Sequence, residues 1–483
     1  MSVRRSVAWA FSGQFLGFVV GFAGSIAMAR LLSPQEMGIY AIALAAQGIL
    51  SVFVTFSVNS YIIRETELRP ETLDTAFTIN ALLAAGLSTL LVVVSFGAEW
   101  LLGDAGAGRV MLIYAICPLL SVAAFRASAM LQREMQFKTI TLIDVTCSTI
   151  GICATVTFAV LGQSYMSPAY GALLSAVISV VAYAIVGRQY FSFRFGLRDW
   201  RPITTFGLRI MSVSGVAMIG MRLSDIVVGR VLGLAALGLY GRASNLSNLI
   251  FSNIYGTATR VLFIQLAAEF RETGDLRPGF VRGLQMITAF MWPLLAGLAI
   301  LARPVIYTLY GEKWLGAAQP LSILLAAQFI VLGFAMNWEL FVLRDETKRQ
   351  SRYEIARSIA ALGGVSIGAL FSIAGAALGR VADAVIGIVL YYPHVRRLAG
   401  TGPGEITAVY RTSAMLTVVA VLPALVLMLV YDWSARTPVV PLLGSVVIGV
   451  TLWLGAIFGT NHPLRAEIEL LARKLAPGRL RRI

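Results

Sequence analysis

Several polar side chains fall within two apolar segments that are each long enough to cross a membrane. Arg222 and Asp225 are three residues apart in the first segment, and Arg242, Asn245 and Asn248 follow at intervals of three in the second. This spacing keeps successive side chains on neighbouring faces of a helix. Arginine can neutralise a phosphate, and amides can hydrogen-bond sugar hydroxyls. The pattern therefore predicts a substrate-binding wall for a polar, anionic ligand.

Two glutamines extend this set. Gln14 and Gln47 lie in two apolar segments near the amino terminus. Amides in lipid commonly join neighbouring helices.

Two carboxylates are candidates for coupling to a proton or a sodium ion. Asp225 is the first, and Asp144, about six residues inside another apolar segment, is the second. Asp144 is also placed to pair with Arg126 or Arg133. An ionised group at the centre of a bilayer costs about 2.5–3.5 kcal/mol, so we expect both carboxylates to face the protein interior or a wet cavity.

Arg380 and Asp383 repeat the spacing of Arg222 and Asp225 later in the chain. We interpret Arg380 and Asp383 as a structural ion pair. The same neutral pairing is the alternative interpretation of Arg222 and Asp225.

The sequence offers no catalytic or metal-binding pattern. Its two histidines, His394 and His462, stand outside any metalloprotease motif, and neither a P-loop nor a nucleophile elbow is present. We therefore expect a protein that is not an enzyme, uses no cofactor or metal, and does not hydrolyse ATP. The net charge of +15 fits basic membrane loops better than a nucleic-acid partner.

The amino-acid composition indicates that most of the chain lies in a lipid membrane. The chain has 483 residues, of which 58% are hydrophobic and only 13% charged, and its mean hydropathy is +0.80. Backbone groups in lipid are satisfied only in helices or closed barrels, and uninterrupted apolar runs of about 20 residues favour helices. The sequence predicts an all-α integral membrane protein with about fourteen transmembrane helices.

An internal repeat organises these helices. Residues 29–40 recur without a gap at 229–240, and residues 171–188 recur at 379–396. Repeats of this kind are typical of transporters whose halves move against each other. We expect two parallel, pseudo-symmetric six-helix lobes, an appended helix pair and a basic amphipathic tail, at 1–200, 201–400, 401–461 and 462–483.

Loop charges predict the orientation. About three quarters of the 39 Lys and Arg residues fall on the side of the amino terminus, so both termini should be cytoplasmic. The loops on the other side are short and leave little room for the acid and base residues of a membrane glycosyl polymerase or ligase.

Three motifs carry a family resemblance. They are the segment from Ala29 to Ala41 (ARLLSPQEMGIYA), the segment from Leu131 to Lys138 (LQREMQFK), and the pattern from Arg222 through Gly229, Gly233 and Gly238 to Tyr240. With these motifs the chain resembles oligosaccharide flippases of the multidrug/oligosaccharidyl-lipid/polysaccharide exporter superfamily.

The resemblance implies a protein of the bacterial cytoplasmic membrane, and it implies that Gln14 and Gln47 are further substrate-binding residues. It implies movement of undecaprenyl-pyrophosphate-linked oligosaccharides to the outer leaflet for exopolysaccharide, capsule or O-antigen synthesis, driven by an ion gradient. A polysaccharide polymerase and a chain-length regulator are the partners to expect. The alternatives are a multidrug or organic-cation exporter, a flippase for a lipid-linked peptidoglycan precursor and, from a different class, a membrane glycosyl polymerase or ligase.

Overall fold

The computed structural model describes residues 3–52, 58–65, 68–190, 192–198, 200–460 and 462–475. It leaves undescribed the side chains of residues 3–12, 14, 15, 60, 209–217 and 471–475. Within the described ranges the regular structure is entirely helical.

The helices follow one another with short connections. Their bounds are α1 Val3–Leu31, α2 Pro34–Val52, α3 Val58–Arg64, α4 Pro70–Phe96, α5 Ala98–Leu102, α6 Ala105–Arg133, α7 Phe137–Val160, α8 Ser167–Val186, α9 Trp200–Leu232, α10 Leu234–Thr273, α11 Arg277–Ile300, α12 Ala302–Tyr310, α13 Ala318–Val331, α14 Asn337–Leu343, α15 Thr347–Ala369, α16 Ile373–Ala399, α17 Glu405–Val430, α18 Val439–Gly459 and α19 Leu464–Leu475.

Nine stretches of the described helices are long and apolar enough to cross a membrane by themselves. A shorter apolar stretch, residues 16–31 of α1, adds to them. Two of the remaining expected spans contain more polar residues: α10 includes the asparagines of the predicted binding wall, and α15 carries a basic first half. An all-α membrane protein of about fourteen spanning helices, as predicted, accounts for this set.

The chain divides into two compact units, Met1–Gly241 and Arg242–Ile483. This division falls one long helix later than the predicted lobe boundary at residue 200, because α9 packs with the first unit, chiefly against α2. Compactness and sequence repetition define different divisions of a chain, so the repeat-based lobes stay a prediction.

The internal repeat marks a reciprocal contact within the first unit. A methyl group placed on Gly38 would lie 1.8 Å from the carbonyl oxygen of Leu234, and one placed on Gly238 would lie 1.9 Å from that of Pro34. Each partner is the repeat equivalent of the other, at an offset of 200. Reciprocal pairs of this kind are the signature of a local two-fold relation. Only glycine permits backbones to approach so closely.

One apolar stretch of the second unit, Glu312–Leu343, contains a break. The helix α13 ends at Val331, a short 3-10 turn follows, and Met336 has a φ of 58° before α14 begins. Two tyrosines satisfy backbone groups that the break releases. The Met336 N–H donates to the Tyr255 hydroxyl (3.1 Å), and the Tyr410 hydroxyl donates to the Gly333 carbonyl (2.7 Å). Irregular backbone at membrane depth needs such partners inside the protein.

Residues after the repeat also form the expected helices. The appended pair corresponds to α17 and α18, and the amphipathic segment to α19. The basic end of the tail, residues 476–483, lies outside the described residues.

Candidate substrate and ion-coupling sites

Three of the predicted residues of the first unit lie on α2 and α9, which pack against each other. Arg222 Nη1 lies 3.7 Å from Asp225 Oδ2, and the two side chains are 36% and 24% exposed. A methyl group on Gly48 would lie 2.7 Å from Arg222 Nε, so glycine makes room for the arginine. Gln47, which precedes Gly48 in the chain, has its Oε1 buried without a hydrogen bond to any described residue. An amide acceptor, an arginine and a carboxylate are thus held on two adjoining helices.

Arg242 occupies an aromatic setting in the second unit. Its guanidinium lies 5.0 Å from the ring centres of both Tyr310 and Trp314, and only 6% of the residue is exposed. Cation–π contacts of this kind hold an arginine by its face. Arg242 was expected to head a polar stripe with Asn245 and Asn248. Steps of three residues drift by about 60° on a helix, so the arginine turns into the protein while both asparagines stay exposed.

The two asparagines leave amides at the surface of α10. Asn248 Oδ1 accepts a hydrogen bond from Gln328 Nε2 of α13 at 3.2 Å, and its Nδ2 donates to Ser244 Oγ at 3.2 Å. Asn245 is exposed one turn earlier. Gln328 was not predicted, but its amide belongs to the same group.

Asp144 has a different partner from those expected. It accepts a hydrogen bond from the Tyr183 hydroxyl at 3.3 Å. Arg126 instead pairs with Asp74 at 2.6 Å, and Arg133 donates to two backbone carbonyls at the end of α3 and just beyond. The expected pairing of Asp144 with either arginine was therefore wrong, because both guanidiniums hydrogen-bond to other parts of the chain.

Asp144 and Tyr183 line an open cavity of about 700 Å³ in the first unit, and Asp144 is exposed in it. Helices α3, α4, α6, α7 and α8 contribute to its wall. The polar residues that line it are Asn59, Asn80, Ser121, Ser128, Asp144, Ser148, Ser175, Ser179 and Tyr183. We call it the serine-lined cavity. Its signal in the sequence is the number of serines within apolar segments, and we had singled out only Asp144.

Arg380 and Asp383 form the expected contact in the second unit, with 3.4 Å between Nη1 and Oδ2. A closer arginine was missed. Arg357 Nε of α15 lies 2.9 Å from Asp383 Oδ1, and its Nη1 lies 3.3 Å from Glu354 Oε2, which also accepts from the Tyr391 hydroxyl at 3.0 Å. Two arginines and two carboxylates make this network neutral, as charges in a membrane interior require.

Gln14 lies in α1 among the residues whose side chains are outside the described set. Its predicted role in binding therefore stays a prediction. No group of three or more metal-ligating side chains occurs among the residues that the structure describes.

Comparison with known proteins identifies the family of the chain. A family model described as "Polysaccharide biosynthesis protein" matches residues 27–319. The succinoglycan biosynthesis transport protein ExoT of Rhizobium meliloti (strain 1021) is 22% identical over 489 residues, covering 99% of this chain and 97% of that protein.

Two solved structures share the fold. The lipid II flippase MurJ in an inward closed conformation aligns with a TM-score of 0.74 and 15% identity, covering 94% of this chain and 99% of that chain. An inward-facing multidrug resistance MATE family transporter of the MOP superfamily aligns with a TM-score of 0.63 and 17% identity, covering 80% and 96%.

These similarities confirm the resemblance that the sequence motifs indicated. The family match and the transport relative also confirm that the chain is not an enzyme. The chain belongs to the polysaccharide biosynthesis protein family, as a multi-pass membrane transporter with the fold of the multidrug/oligosaccharidyl-lipid/polysaccharide exporter superfamily.

Proposed function

We propose that the protein is a flippase for undecaprenyl-pyrophosphate-linked oligosaccharides. It moves them across the bacterial cytoplasmic membrane, with both of its termini in the cytoplasm. The family match over residues 27–319 is the observation that carries the substrate class. The full-length similarity to a succinoglycan transport protein supports it.

The polar groups on otherwise apolar helices suit this substrate. Each sugar hydroxyl is costly to bury without a hydrogen bond, and a bilayer excludes pyrophosphate. Arg222 supplies a charge for the pyrophosphate, while Asn245, Asn248 and Gln47 supply amides for sugar hydroxyls. Arg242 is placed one turn before Asn245, with its charge held by two rings. The polyprenyl chain has no such requirement and can remain in lipid.

Asp225 is the residue that we propose for ion coupling. Its distance of 3.7 Å from Arg222 leaves room for exchange between the arginine and a proton or sodium ion. When a proton or a sodium ion binds to Asp225, the carboxylate no longer pairs with Arg222, and the arginine becomes available to the pyrophosphate. At 100 mV, one charge moved across the membrane is worth about 2.3 kcal/mol, which is enough to give transport a direction.

Deletion of the gene, followed by analysis of surface glycan and of lipid-linked intermediates, tests the proposed function. We expect surface polymer to be lost and the lipid-linked repeat unit to accumulate inside the cell. Unchanged glycan together with altered drug tolerance would identify a multidrug exporter instead. Loss of peptidoglycan synthesis would identify a precursor flippase.

A pair of variants tests the amide group on α10. Asn248→Leu should reduce export severalfold at an unchanged protein level, because a hydrogen-bonding surface becomes apolar. Ser252→Ala is the matched control, since its hydroxyl bonds only the Asn248 carbonyl of its own helix in the structure. Equal export by both variants and the wild type would remove α10 from the binding wall.

A further inference from the structure

We propose that the serine-lined cavity binds an uncharged sugar ring of the transported glycan. This inference rests on the proposed function. It adds the place where a sugar of the glycan binds and the charge that this sugar must have. It adds a glycan subsite in the first unit that includes only Asp144 of the residues that the sequence singled out. It also gives Asp144 a role in sugar selection in place of ion coupling.

The chemistry of the cavity wall favours a polyhydroxylated ligand. Its polar groups are five serine hydroxyls, two asparagine amides, the Tyr183 phenol and the Asp144 carboxylate, together with Cys117 and Cys147. Hydroxyls and amides both donate and accept, as sugar hydroxyls do. Such a wall matches a ligand that presents donors and acceptors in every direction.

The size of the cavity argues against a bare ion as its occupant. About 700 Å³ is within the range of small-molecule sites, about 300–1,000 Å³. One water occupies about 30 Å³, so a sodium ion or a proton would leave most of this space to solvent. A site for one cation instead needs several oxygens converging within about 2.6 Å. One or two sugar rings fill the space more completely.

The carboxylate of Asp144 determines which sugars the cavity accepts. Among the described residues that line the cavity, Asp144 is the only carboxylic acid, and none is a lysine or an arginine. A uronic acid or another anionic sugar would bring a second negative charge into the same cavity, where the two charges repel each other. The cavity therefore accepts a neutral hexose and rejects its uronic acid.

A native cysteine allows a direct test. Cys117 lines the cavity, and replacing Cys147 and Cys153 by serine leaves it as the only thiol. The purified full-length protein would be labelled with N-ethylmaleimide in the presence of one of three probes. These are farnesyl pyrophosphate, the same lipid carrying one glucose, and the same lipid carrying one glucuronic acid.

We expect the glucosyl probe alone to slow the labelling of Cys117, by about fivefold, which corresponds to roughly one net hydrogen bond. Asp144→Asn should extend this protection to the glucuronyl probe. Glu99→Gln is the matched control, because Glu99 is an exposed carboxylate that does not line the cavity. Equal protection by the sugarless lipid, or by the glucuronyl probe in the wild type, would overturn the inference.

Thermal unfolding with the same probes separates this inference from the proposed function. If a glycosylated probe stabilises the protein but leaves Cys117 unprotected, only the cavity assignment fails. If none of the probes binds, the proposed function fails with it.

A second pair of variants tests the cavity in cells. Ser179→Phe fills the cavity from α8 and should reduce export at least severalfold. Val181→Phe adds the same ring to a residue of that helix that is 52% exposed, and should leave export unchanged. Normal export by the Ser179→Phe variant at wild-type protein level would contradict the proposal.

Discussion

Asp383 is the most enclosed carboxylate among the ion pairs of the described chain, with 2% of its side chain exposed. Arg357 lies 2.9 Å from one of its oxygens, and Arg380 lies 3.4 Å from the other. Removing one partner of a buried pair leaves the remaining charge uncompensated, at a cost of about 3–5 kcal/mol. We expect Asp383→Asn to lower the free energy of unfolding by at least about 3 kcal/mol, measured by thermal or denaturant unfolding of the purified protein.

Arg380→Gln is the control for this prediction. The Arg380 side chain is 37% exposed, and Arg357 would still neutralise Asp383 in its absence. An exposed ion pair contributes about 0–1 kcal/mol, so the loss should be small. Similar losses from the two variants would show that the network is not centred on Asp383.

His462 contributes a pH dependence of stability that a variant can isolate. It lies between α18 and α19, is 4% exposed, and accepts a hydrogen bond from the Leu464 N–H through Nδ1 (3.3 Å). Burial lowers the pKa of His462. The unfolded chain therefore takes up its proton first, near pH 6.5, and stability falls as the pH drops below about 6.5.

The test is thermal unfolding of the wild type and of His462→Gln between pH 8 and pH 5. The variant should lose less stability than the wild type over this range. Glu346 does not interfere, because its hydrogen bond with Arg397 lowers the pKa of the Glu346 carboxyl. Its contribution is lost only below about pH 4.3. Parallel pH profiles would exclude His462 as the titrating group.

Single residues were predictable where the information was local. The three-residue spacing identified the contact of Arg380 with Asp383, but not Arg357, which reaches the same carboxylate from another helix. The aromatic partners of Arg242 are about 70 positions away, at Tyr310 and Trp314. Residue spacing predicts contacts within one helix, and it does not predict contacts between helices.

At the scale of elements, glycines bring α15 and α16 into backbone contact. A methyl group on Gly368 would lie 2.0 Å from the Gly375 carbonyl oxygen, and one on Gly379 would lie 2.3 Å from the Gly364 carbonyl carbon. Small residues at helix contacts allow this approach in membranes. Gly368→Ala should force the helices apart and cost about 1–3 kcal/mol in unfolding free energy.

Gly363→Ala provides the comparison within α15. Nothing lies within 4 Å of a methyl group at Gly363, so alanine should be tolerated or should stabilise the helix slightly. Unfolding of both variants in the same detergent measures the difference. A Gly368→Ala protein as stable as the Gly363→Ala protein would contradict the close packing.

Hydropathy predicted the elements better than their interruptions. Continuous apolar runs identified most spans, and polar residues explain why α10 and α15 fall below a simple hydropathy threshold. The break after Val331 was not foreseen, because no proline marks it. Its backbone groups are satisfied by Tyr255 and Tyr410, whose hydroxyls come from other helices. A helix break of this kind can be predicted only when the side chains that bond its free backbone groups are known.

At the scale of the whole molecule, the repeat was the most productive signal in the sequence. It indicated a duplicated membrane bundle, and the fold shared with MurJ supports that architecture. The serine-lined cavity was not foreseen, because five helices build its wall and none of them contains more than six of its residues. The sequence revealed the periodic arrangement, whereas the cavity depends on how the helices pack.

The reciprocal contact of the repeat makes a prediction about this duplication. Gly38 and Gly238 occupy equivalent positions, and a methyl group added to either would lie 1.8 or 1.9 Å from a carbonyl oxygen of the facing helix end. Alanine at either position should separate the same two helix ends. Gly38→Ala and Gly238→Ala should therefore lose similar amounts of stability, about 1–3 kcal/mol each. The double variant should lose less than the sum, because the first substitution already opens the contact for the second. Gly241→Ala, at an open position of the same helix as Gly238, should be nearly neutral. Unfolding of the four purified proteins measures this pattern, and strictly additive or strongly unequal losses would show that the two glycines do not share one contact.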